Sequence, residues 1–124
     1  MRLLLDTHVV LWWLDDDPRL SGDVANLLLS EPDVFVSSAS IWEIAVKQAL
    51  GKLEGPEDLP ERVLAAQFSV LDITAHHGIA AARLPPHHRD AFDRILVAQA
   101  AIEGLTIVTR DRDVQRYDVP LLPL

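Results

Sequence analysis

Five acidic residues of this 124-residue chain occupy places where a carboxylate is hard to hydrate. Asp6 ends the apolar run of "RLLLDTH" and is followed almost at once by Val9 to Leu14. In "SSASIWEIAVKQAL", Glu43 is surrounded by Ile41, Trp42, Ile44, Ala45 and Val46. In "HRDAFDRILVAQAAIEG", Asp90 and Asp93 share one face of a first helical turn, with Leu96, Val97 and Ala100 below Asp93. Asp111 closes "TIVTRD". An ionised carboxylate loses much solvation free energy on burial unless a cation or several donors compensate. Hard divalent ions such as Mg²⁺ and Mn²⁺ take oxygen ligands, usually a few carboxylates with water. One metal site therefore accounts for several of these acids together.

Each acid also has an ordinary alternative. Asp6 and Asp90 stand where helix caps stand. Ser40 to Glu43 spells a capping box, and Glu43 can pair with Lys47 one turn on. Asp93 has Arg89 and Arg94 nearby, and Asp111 suits a turn. The histidines make a weaker case for metal. His87 and His88 are adjacent, so they point apart, and they follow two prolines, which reads as solvated loop. His8 follows Asp6 into a helix, and His76 and His77 read as polar helix-start residues. There is no cysteine, which removes disulfides, zinc thiolates and thiol nucleophiles. No glycine-rich phosphate loop, serine elbow or H-E-x-x-H is present.

The formal charge is −8, from 11 Lys plus Arg against 19 Asp plus Glu. Taken alone this disfavours nucleic acid, but a bound ion inverts the local field wherever acids gather around it. Arg110, Arg112, Arg94, Arg89 and Lys47 lie close in sequence to the acids and are candidates for holding flanking phosphates.

The elements that position these residues alternate. Strands are expected at Leu3–Leu5, Val34–Val36, Ser69–Ile73 and Leu105–Val108. Helices are expected over Thr7–Asp16, Ser21–Ser30, Ser38–Leu50, about Glu61–Gln67, Ala75–Arg83 and Asp90–Glu103. Gly51 and Gly104 stand where C-terminal caps stand. The helix carrying Glu43 reads as buried on most sides. "GKLEGPEDLP" and "LPPHHR" are connectors, and "VPLLPL" is too rich in proline for an interior strand but fits an edge. Such alternation implies a mostly parallel sheet with helices on both faces, and ligand chemistry beyond the carboxyl ends of its strands. That rim is where Asp6 and Asp111 fall. With 49% apolar residues the chain has enough to bury one core. Asp6 interrupts the leading apolar run, so it reads as no signal peptide, and no stretch reaches the roughly 18 residues of a membrane span. A cytoplasmic location is expected. Trp12 and Trp13, adjacent on one helix, cannot both face one core, and either anchor a partner or lie under another helix.

Three blocks, "LLLDTHVVLWWL", "SSASIWEIAVKQALGKL" and "HHRDAFDRILVAQAAIEGLTIVTRD", together resemble the PIN-domain family, most closely the VapC-type toxins of bacterial toxin–antitoxin pairs. The resemblance spans nearly the whole chain and implies one PIN domain over residues 1–124, a three-layer α/β/α fold. It implies an Mg²⁺- or Mn²⁺-dependent endoribonuclease whose acids are Asp6, Glu43, Asp93 and Asp111, with Asp90 as an additional acid. It implies that Thr109 assists metal water or phosphate. RNA as substrate, a cognate VapB-type antitoxin and a homodimer follow from the same likeness. Ala91 stands where related sequences often have proline. Three rivals remain: a phosphoacceptor receiver domain, disfavoured because its late-strand lysine is missing, a PIN-like module that binds RNA or protein without catalysis, and a structure-specific DNA nuclease, disfavoured because the chain is short for the clamps expected of one.

Overall fold

A computed structural model describes residues 1–124. Five strands, β1 (Arg2–Leu5), β2 (Asp33–Ser37), β3 (Ser69–Leu71), β4 (Thr106–Thr109) and β5 (Leu121–Pro123), form one sheet in the order β3-β2-β1-β4-β5. Every pairing is parallel. Six helices connect them: α1 (Thr7–Leu14), α2 (Gly22–Ser30), α3 (Ser38–Ala49), α4 (Leu59–Ala65), α5 (Ala75–Ala82) and α6 (Ala91–Glu103). A 3₁₀ turn at Val114–Arg116, absent from the sequence reading, leads into β5.

The leucine run is explained by its place. β1 is the central strand, and Leu3, Leu4 and Leu5 are all fully buried. A strand covered on both faces has no use for polar alternation. Leu3 and Leu5 pack with Val34, Val36 and Val108 against α1, α2, α3 and α4, through residues such as Val9, Leu28, Ile44 and Val63. Leu4 and Ile107 point the other way, onto Leu96, Val97 and Ala100 of α6 and onto Val114 and Tyr117. The result is three layers. No helix is long and apolar enough to cross a membrane.

Several expected boundaries shift by a residue or two. α4 starts earlier than expected, at Leu59, with a proline in its first turn, where the missing N–H costs nothing. The tail does form a strand, at the outer edge, where Pro123 has no ladder bond to donate. α3 is less enclosed than its composition implies: Trp42 and Leu50 are 61% and 63% exposed, while Ala39, Ser40, Glu43 and Ile44 line its inner side.

Gly104 ends α6 in the left-handed region, at φ 67°. A Cβ there would meet nothing closer than the Arg2 guanidinium at 3.9 Å, so sterics are not the constraint. The cost of Gly104→Ala is conformational, about 1 kcal/mol. Thermal unfolding should show a midpoint lower by about 4 °C.

Candidate metal centre

The direction of chain travel changes at β1. From β1 the chain builds β2 and β3 to one side, then crosses to place β4 on the other. The crevice at such a reversal, beyond the strand ends, is where open parallel sheets bind ligands. Asp6 lies there. Its backbone N–H donates to the Val108 carbonyl at 3.0 Å, tying β1 to β4, and its own backbone opens α1. Its carboxylate accepts from the Thr7 N–H at 2.7 Å and from the Thr109 hydroxyl at 2.7 Å. Asp111 follows β4, accepts from the Asp113 N–H at 2.8 Å, and so organises the turn that carries it.

α3 brings Glu43 inward. Ser37, not Ser40, caps this helix, by accepting from the Ala39 N–H. The capping-box reading of Ser40 and Glu43 therefore fails. Ser40 lies a turn inside the helix and accepts from the Thr7 hydroxyl at 2.9 Å, joining α3 to α1. Glu43 Oε2 accepts from Lys47 at 3.0 Å, while Oε1 is buried with no hydrogen-bond partner. Asp90 is the cap of α6 and accepts from the Asp93 N–H at 3.1 Å. That cap turns Asp93 inward, buried at the first turn of its helix.

All five acids, with Lys47 and His8, line one cavity of about 210 Å³. Four other depressions, of about 300 to 500 Å³, are larger, but none brings together more than two acids. The small cavity has the chemistry. Burial, and then the neighbouring charges of Asp6, Asp90, Asp111 and Glu43, push Asp93 up to about 8. Burial also raises Asp6, against the lowering influence of His8, Thr109 and Thr7. The acids surround the cavity without closing on it: no three converge as a ready-made ligand cage. Their donor set nevertheless suits a hard divalent ion. It is all oxygen, it includes a buried carboxylate oxygen with no partner, and its members repel one another in the absence of positive charge.

Other sequence expectations are revised. Thr109 is not a free hydroxyl. It is fully buried, donating to Asp6 and accepting from the Asp111 N–H at 2.9 Å, so it orients acids and has no exposed oxygen to offer phosphate. Arg94 is committed elsewhere: its guanidinium donates to the carbonyls of Ala81, Leu84, Pro85 and His88 and to the Tyr117 hydroxyl. Lys47 is bound to Glu43. Arg110 donates its backbone N–H to His8 Nε2 at 3.1 Å and places its guanidinium 5.8 Å from the Trp12 ring centre. Arg89 and Arg112 are exposed. Trp12 is buried and the half-buried Trp13 packs on the same core, its ring tilted against Phe68, so packing within the chain accounts for this pair. The exposed tryptophan is Trp42.

His77 is a polar helix-start residue, as expected: it completes a capping box with Thr74, is fully buried and reaches Glu103 at 3.0 Å. His88, expected in solvent, lies between Tyr117 and Asp93. Local spacing does not signal Tyr117, whose partners Arg94 and His88 lie 23 and 29 positions earlier.

A family model described as "PIN domain" matches residues 3–120. The chain is 29% identical over 121 residues to Ribonuclease VapC22 of Mycobacterium tuberculosis, covering 95% of this chain and 93% of that one. Among solved structures, VapBC2 from Rickettsia felis bound to a promoter DNA fragment superposes with a TM-score of 0.75 at 17% identity, over 99% of this chain and 98% of that chain. DNA-bound VapBC from Salmonella typhimurium superposes with a TM-score of 0.69 at 20% identity, over 99% and 98%.

Proposed function

Since the chain belongs to the PIN domain family, we propose that it is an endoribonuclease toxin of a toxin–antitoxin pair, a hydrolase of RNA phosphodiester bonds that depends on Mg²⁺ or Mn²⁺. The observation that carries this reading is that five carboxylates from four separate parts of the chain line one strand-end cavity. Likeness to Ribonuclease VapC22 supports RNA as the substrate. Likeness to VapBC complexes supports a VapB-type antitoxin as the inhibitor. A cytoplasmic location, a homodimer and one PIN domain over residues 1–124 belong to the same proposal.

Asp6, Glu43, Asp93 and Asp111 would hold the ion, with Asp90 beside them. A bound divalent ion supplies a lowered pKa to water and positive charge against the charge that develops at phosphorus. The protein's own work is positional. Thr109 joins Asp6 to the backbone of Asp111, so acids from β1 and β4 keep a fixed relation. Asp90 holds the first turn of α6 and thereby aims Asp93. Lys47 neutralises part of Glu43 at the cavity wall. Arg110 and Arg112, exposed just after β4, and the exposed Arg89 are the remaining cations for phosphates that flank the cut bond.

The test is cleavage of structured and single-stranded RNA panels with Mg²⁺, with Mn²⁺ or with chelator. Cutting is expected with either ion and none with chelator. Undiminished cutting in chelator would overturn the metal-dependent reading.

A further inference from the structure

His88 has a place in this site that sequence spacing does not suggest. Its Nε2 lies 3.2 Å from Asp93 Oδ2, and its Nδ1 lies 2.8 Å from the Tyr117 hydroxyl. The ring is fixed from both ends, and the side chain is only 12% exposed. Tyr117 is buried and in turn receives a hydrogen bond from Arg94 at 3.1 Å. Arg94 is held by four backbone carbonyls from the segment Ala81–His88.

The donor and acceptor roles along this chain follow from what each group can do. Arginine only donates, so it occupies a lone pair of the Tyr117 oxygen. That oxygen carries one proton, free to be given to His88 Nδ1. The other ring nitrogen, Nε2, then carries the ring's one N–H and points it at Asp93. Asp93 gives up its proton when it holds a divalent ion and can then only accept, so the roles agree at every link. A carboxylate that gives one oxygen to a histidine N–H is fixed in rotation, with its other oxygen left to face the cavity.

Resting on the nuclease reading above, we propose that His88 is a positioning residue for the metal site: Arg94 and Tyr117 set its tautomer, and its Nε2–H holds Asp93 Oδ2 so that Oδ1 is presented to the ion. Outer partners of metal ligands act this way in general, and their loss weakens metal affinity by about 10- to 100-fold.

Amide isosteres separate the two ends of the ring. An Asn amide oxygen can take the place of the accepting Nδ1, and a Gln amide nitrogen that of the donating Nε2. Mn²⁺ dissociation constants are to be measured by titration calorimetry on the parent, His88→Ala, His88→Asn and His88→Gln, with a thermal melt of each to establish folding. Ala and Asn should bind Mn²⁺ about tenfold more weakly. Gln, which restores the donor to Asp93, should stay within about threefold of the parent. Asn binding as tightly as the parent, or Gln as weak as Asn, overturns the role of His88 while the parent's own Mn²⁺ binding leaves the nuclease reading standing. A parent that binds no Mn²⁺ overturns both. Should the Ala variant not fold, the Asn and Gln pair decides, since each keeps one of the two bonds.

Discussion

Asp6→Asn is expected to lower RNA cleavage by at least about a thousandfold, roughly 4 kcal/mol of lost transition-state stabilisation, while leaving the metal-free protein as stable as the parent or more so. The two halves of this expectation have one cause. Asp6 is almost fully buried and its pKa is raised chiefly by that burial, so its charge is kept at a cost to folding. Asparagine has nearly the same shape. Its carbonyl can accept from the Thr7 N–H, and its amide can donate to the Thr109 oxygen, which has a lone pair to spare beside the Asp111 N–H. What disappears is the negative charge. Melting curves in chelator should show a midpoint at or above the parent's, and added Mn²⁺ should raise the parent's midpoint far more than the variant's. A variant that loses activity because its midpoint has collapsed would show that Asp6 serves the fold and not the ion.

The sequence was informative where one residue's chemistry conflicts with its immediate neighbours. Asp6 after three leucines and Asp93 above Leu96 and Val97 are such conflicts, and both turn out to be buried acids on one cavity. Parallel pairing was legible from the alternation of strands and helices, each helix supplying a crossover between strands. Ordinary and special readings also proved compatible. Asp6 and Asp90 do cap helices, and the same caps aim the acids at the cavity. What stayed hidden depends on contacts between distant segments. The four carbonyls that absorb Arg94 lie on the α5 end and the following loop, so its apparent availability for phosphate vanished only when α5 packed on α6. His88 looked solvated because its partner Tyr117 is 29 residues away. Trp42 looked buried because composition around a helix does not say which of its faces lacks a neighbour.

The pH dependence of stability offers the second large effect, and its direction reverses the usual one for a carboxylate. Asp93 goes from 3.8 to about 8 in the folded chain, through burial first and then the charges of Asp6, Asp90, Asp111 and Glu43. Between these values the folded state keeps a proton that the unfolded state has lost. Stability therefore falls as pH rises through that window, and the decline levels off above the folded value. The raised pKa of Asp6 acts in the same sense. The total is on the order of a few kcal/mol. Asp93→Asn removes the proton exchange at that position, so in chelator the variant and the parent should melt close together near pH 5, and the variant should melt several degrees higher near pH 8. A divalent ion competes with the same proton. Its stabilisation of the parent should then grow with pH, following the affinity it gains as the acids ionise, whereas Asp93→Asn should show little of this growth. A gap between parent and variant that stays constant from pH 5 to 8 would mean that Asp93 is not under strain from its neighbours, and the crowding of charge on which the metal site is argued would be absent.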